Sequence, residues 1–149
     1  MVNVSSKSSS SRHAVASGKI HLTAKAYALV KDHHLSKKGS VLSVAQLAGI
    51  MAAKQTPNLI PLCHHVTLSH VTVDFELDDN ACCGGVRVGV RSVGVTGVEM
   101  EALCGVSVAL LTVYDMTKSA SHRHTITDVC LEEKRGGKSG HFIRESSSL

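Results

Sequence analysis

Asp115 and Lys118 stand three positions apart in a stretch whose apolar residues recur at helical spacing, so both side chains fall on one helix face. A carboxylate beside an ammonium can act as a general acid or base next to a cation that steadies phosphate. The same spacing also makes ordinary surface ion pairs, which contribute little to stability. Glu99 and Glu101 open that stretch, where acidic side chains interact favourably with a helix dipole. Glu101 precedes Asp115 by fourteen positions, about 21 Å along an α-helix at ~1.5 Å per residue. Groups so far apart meet one ligand only if it is long or if a second subunit supplies one of them.

Leu62-Cys63-His64-His65 follows Pro61. Cysteine and histidine together suggest zinc, but no second ligand pair at tetrahedral-site spacing follows, so no metal site is expected. A Cys63–His64 nucleophilic dyad is equally thin, because neighbouring side chains on extended backbone point to opposite faces. Lys37-Lys38-Gly39 and Gly136-Gly137-Lys138-Ser139-Gly140 each set cations beside flexible backbone. The second is no Walker motif: it lacks the upstream glycine and no apolar helix follows it. Both read equally well as phosphate-touching turns and as solvated loops.

The elements that position these residues follow from hydrophobic periodicity. Ala14, Ala16, Gly18, Ile20 and Leu22 alternate, predicting a strand over about Arg12–Leu22. Thr23 is placed to cap a short helix to about His33, and Ser40 or Ser43 to start another through Met51, which Pro57 and Pro61 keep from extending far. Val66–Leu77 and Val86–Val93 form two β-rich runs around turn residues Asp78–Gly85, a hairpin. Val98–Ser121 is the longest helical stretch, and Thr125–Glu133 reads as a final strand. The order strand, helix, helix, strand, strand, helix, strand predicts an α+β fold with helices on one face of an antiparallel sheet.

Length and composition bound the rest. The 149 residues suit one domain over 1–149, with mobile ends at about 1–11 and 142–149. Hydrophobic residues at 43% supply a core, while aromatics at 3% and no Trp leave few platforms for stacking bases. The net charge of +4 without a dense Lys/Arg run points away from nucleic acid and is compatible with a nucleotide-sized polyanion. Five cysteines in no regular framework indicate free thiols in a reducing compartment. No signal segment opens the chain and no apolar run reaches the ~18 residues of a membrane span, so no membrane association is expected.

Six stretches taken together resemble the MoaC family of cyclic pyranopterin monophosphate synthases. They are Met1–Val4, Gln46–Lys54, Leu59–His64, Thr96–Leu103, Tyr114–Lys118 and Gly136–Gly140, in family order and over nearly the whole chain. The resemblance implies a ferredoxin-like subunit in a hexamer built from dimers, with active sites at subunit interfaces. It implies conversion of a cyclised dihydro-GTP, made by a partner radical enzyme, to a pyranopterin carrying a cyclic phosphate. Pyrophosphate is released, with neither metal nor organic cofactor. By motif match Asp115, Lys118 and Lys38 take the catalytic positions. Leu62, Cys63, His64, Met100, Glu101 and, by spacing from Met1, Arg12 take substrate-binding positions. Proton transfers then fall to Asp115 and a lysine of lowered pKa. Two departures stand out, Asn3 and His141, where the family has aspartate. The location implied is cytoplasm, or mitochondrial matrix in a eukaryote. The alternatives are a non-catalytic nucleotide-binding module of the same fold and a zinc-dependent regulator using Cys63 and His64.

Overall fold

Small apolar residues alternate along β1 (Ser10–His21), and its Ala14, Ala16, Gly18 and Ile20 are buried. Gly18 has a steric reason to lack a side chain. A Cβ there would come within 2.8 Å of Val106 and 2.9 Å of Leu110, so a helix lies directly on the strand at this point. The computed structural model describes residues 1–31 and 39–145. After β1 come α1 (Ala24–Lys31), α2 (Val41–Leu59), β2 (Leu68–Asp78), β3 (Cys83–Gly94), α3 (Glu99–Thr117), β4 (Thr125–Arg135) and the short β5 (Phe142–Ile143).

The strands form one sheet in the order β2-β3-β1-β4-β5, with every neighbouring pair antiparallel. α3 packs on β1, β3 and β4, and α2 packs on α3 and β2, so these helices cover one face. This is the α+β arrangement expected, and the strand order is compatible with a ferredoxin-like β-α-β-β-α-β unit. The other face alternates outward, with exposed Arg87 between buried Val86 and Val88, and exposed Arg91 between buried Val90 and Ser92. α2 and α3 approach closely through small residues. A Cβ on Gly49 would lie 3.1 Å from the Gly105 carbonyl oxygen, and Ala45, Ala52, Ala102 and Ala109 are buried. α3 is long and apolar enough to cross a membrane, yet that apolarity is spent on the core.

The structure moves several expected boundaries. α2 runs two residues past Pro57. Pro57 has no N–H for the Ala53 carbonyl, but the fully buried Thr56 hydroxyl donates to that oxygen at 3.1 Å and to the Ala52 oxygen at 3.2 Å. The Ala53 carbonyl therefore keeps a donor despite the proline. Neither expected cap uses its side chain: Thr23 Oγ1 is buried without a partner, and Ser40 Oγ meets only Ser43 Oγ, at 3.1 Å. Both residues instead lend their carbonyls, to Tyr27 and Val44. The hairpin turn is shorter than expected because the ladder continues through Leu77–Gly84 and Asp78–Cys83. α3 ends at Thr117, not Ser121, and β5 had no signal in the sequence. The expected end of α1 at His33 lies outside the described residues.

Candidate active site

β3 ends at Gly94 and α3 begins at Glu99, so the link between them sets the N-terminal end of α3 beside the start of β1. Arg12 on β1 is paired with Ser92 and is only 8% exposed. Its Nε donates to the Gly94 carbonyl at 3.1 Å, which fixes the stem and leaves the guanidinium tip beside the glycine turn after β4. Gly136 and Gly137 take φ of 96° and 81°, backbone that L side chains rarely adopt. Space is also lacking: a Cβ would overlap the Ser11 carbonyl oxygen at Gly136 and the Arg12 guanidinium at Gly137.

Here a cavity of about 580 Å³ opens, with Lys7, Arg12, Lys134 and Lys138 on its wall and, among the described residues, Glu99 as its one acidic side chain. Lys134 Nζ lies 3.8 Å from Glu99 and also donates to Ser139 Oγ. Ser10 lines the same space, and its buried Oγ has no partner among the described residues. Four cations against one carboxylate make this wall suited to a polyanion. The family resemblance had suggested Arg12, and the glycine turn had read equally as a phosphate-touching turn and a solvated loop. Lys7, Lys134 and Glu99 were missed, because they come from the N-terminal segment, β4 and α3, and no local pattern links them.

Glu101, in the first turn of α3, is 2% exposed. Cys63 Sγ donates toward its Oε1 at 4.0 Å, while Oε2 is buried without a partner. Burial pushes the Glu101 carboxyl above the usual range, and nearby Glu99 adds to the rise. Burial and then the Glu101 carboxylate push the Cys63 thiol up as well. The thiol is therefore no ready nucleophile. His64 Nε2 donates to the Val2 carbonyl at 2.8 Å, so the N-terminal segment runs beside Leu62–His64. Leu62 is 69% exposed. Among the described residues, no three His, Cys, Asp or Glu side chains converge as metal ligands.

Asp115 and Lys118 lie at the other end of α3. Lys118 Nζ is 2.6 Å from Asp115 Oδ1, with about half of each side chain exposed. A carboxylate in the last turn sits at the negative end of the helix dipole, where the Lys118 cation offsets it. The hydrogen bond and charge of Asp115 raise the Lys118 pKa. The expectation of a lowered lysine pKa is thus corrected for Lys118, because a paired ammonium holds its proton more tightly. One chain brings Arg12, Cys63, His64, Met100 and Glu101 to the first end of α3 and keeps Asp115 and Lys118 at the second. Lys38 lies outside the described residues.

With this geometry in view, comparison with known proteins is specific. A profile of the MoaC family matches residues 1–137. The chain is 51% identical over 146 residues to the cyclic pyranopterin monophosphate synthase of Salinibacter ruber, covering 98% of this chain and 85% of that one. The corresponding proteins of Heliobacterium modesticaldum and Campylobacter jejuni are 49% and 48% identical, each over 97% of this chain and 91% of their own.

Proposed function

The chain belongs to the MoaC family, and from that premise we propose how it forms cyclic pyranopterin monophosphate. The reaction is a step of molybdenum-cofactor biosynthesis, and the enzyme is a lyase. Its substrate is a cyclised dihydro-GTP supplied by a radical enzyme. The triphosphate enters the cationic cavity, and the pterin-forming rings lie toward Cys63, His64, Met100 and Glu101. The cavity is the observation that carries this reading: four cations and an unpartnered Ser10 hydroxyl face space for a triphosphate.

Closing the cyclic phosphate requires a substrate hydroxyl to attack the innermost phosphorus. The bond to the outer two phosphates breaks, and pyrophosphate leaves with the bonding pair. Negative charge grows on the phosphate oxygens, where Arg12, Lys134 and Lys138 are available to stabilise it. Asp115, Lys118 and Lys38 carry the proton transfers of ring opening and closure. With Lys118 held protonated by Asp115, Lys118 donates and Asp115 accepts.

The two ends of α3 meet at one substrate through a second subunit, in a hexamer built from dimers. The length of α3 supports this, since Glu101 and Asp115 are about 21 Å apart at ~1.5 Å per residue. The bacterial relatives support a cytoplasmic location. Incubation with authentic cyclised substrate, followed by oxidation and detection of the fluorescent pterin, tests the whole reading. Binding of the substrate without turnover would instead establish a non-catalytic nucleotide module.

A further inference from the structure

The cationic cavity contains one feature that works against anion binding. Glu99 lines the same wall as Lys7, Arg12, Lys134 and Lys138, and it is the one acidic side chain there among the described residues. Its side chain folds back over Gly97, where any Cβ would overlap the Glu99 carboxylate, so the chain leaves that space free. At 3.8 Å from Lys134 the carboxylate is beyond a normal hydrogen bond, and it orients that lysine only loosely. A helix-dipole role explains an acid in the first turn of α3, but not one lining a polyphosphate site.

We propose that Glu99 sets the release of product, as a carboxylate placed in the cationic wall to weaken the binding of pyrophosphate. This rests on the reading of the cavity as the triphosphate site. Substrate and product share the same two outer phosphates, so a wall of cations alone would hold the leaving group nearly as firmly as the substrate. Glu99 opposes both by charge repulsion, and partly neutralises Lys134 while the site is empty. The substrate has the pterin-forming rings and their contacts to offset this loss. Free pyrophosphate has none, so the repulsion falls hardest on the product.

The test measures binding of inorganic pyrophosphate by calorimetry to the full-length oligomer and to Glu99→Gln, without divalent metal. The same preparations are assayed for turnover. Glu99→Gln should bind pyrophosphate about threefold to tenfold more tightly, as expected for removing one like charge at short range. Its turnover should be more strongly inhibited by added pyrophosphate. A wild type that turns over and binds pyrophosphate, with Glu99→Gln binding it equally or more weakly, overturns the proposal alone. If the wild type turns over but neither protein binds pyrophosphate, the assignment of the cavity falls and this proposal with it. A wild type that neither turns over nor binds removes the functional reading as well.

Discussion

Lys118 and Asp115 are bonded at 2.6 Å, and the pairing keeps the lysine charged. Removing Lys118 should be costly in turnover and cheap in stability, because it is exposed at the end of its helix. Lys118→Ala and Lys38→Ala are each expected to lower kcat by about 10²–10⁴-fold, the span usual for proton-transfer groups. Circular dichroism would verify the fold, and near-normal turnover in a folded variant removes that lysine from the mechanism. Cys63→Ser should lose less than the ~10²-fold typical of such groups, since burial and Glu101 hold the thiol protonated. A covalent adduct trapped on Cys63 would contradict this.

Glu101 gives a pH prediction. Its folded pKa is raised, so between the unfolded and folded values the native state binds the extra proton. Its favourable contribution is therefore present at acid pH and is lost as pH rises through the folded pKa. Glu101→Gln should be more stable than wild type at pH 7 relative to pH 4, with the gap shrinking on acidification in urea titrations. The two family departures have local partners: Asn3 Oδ1 accepts from Ser5 N at 3.0 Å, as an aspartate oxygen would, and His141 lies 2.8 Å from Glu133.

Among the elements, α2 and α3 carry the tightest constraints. Thr56 substitutes for the N–H that Pro57 lacks, so its hydroxyl has a structural duty deep in the core. Thr56→Val keeps the shape and leaves the Ala53 carbonyl without a donor. The expected loss is about 1–3 kcal/mol, the cost of an unsatisfied buried group, read as a lower urea midpoint with an unchanged slope. An unchanged midpoint would mean that water reaches the carbonyl. The Gly49–Gly105 approach sets how closely α2 lies on α3, and hence how Cys63, which follows α2, meets Glu101.

At the scale of the whole molecule, the groups proposed for the reaction stand at the two ends of α3. An antiparallel neighbour can bring its own Asp115 end beside this chain's Glu101 end, as symmetric interfaces allow. Mixing inactive Glu101→Ala with inactive Asp115→Ala should then restore part of the activity, because some mixed dimers contain one undamaged site. The variants must be coexpressed or exchanged and the mixed oligomers verified. Mixed oligomers no more active than either parent would falsify the shared site.

The sequence alone determined the helix-covered antiparallel sheet and the order of every element except β5, because periods of two and of 3.6 residues are written directly in Ala14–Ile20 and in Leu103–Val113. The resemblance, carried by contiguous motifs, was equally legible. Tertiary structure decided what depends on distant residues meeting. Lys7, Glu99 and Lys134 line one cavity although no local pattern joins them. Thr56 rescues a helix turn that Pro57 would otherwise break. The Glu101 and Cys63 pKa directions come from burial, a property of the packed chain and not of residue type. Spacing from Asp115 made Lys118 a cation beside a carboxylate, whereas the resemblance gave proton transfer to a lysine of lowered pKa. The folded geometry makes Lys118 a held cation, because a hydrogen bond at 2.6 Å stabilises its charged form.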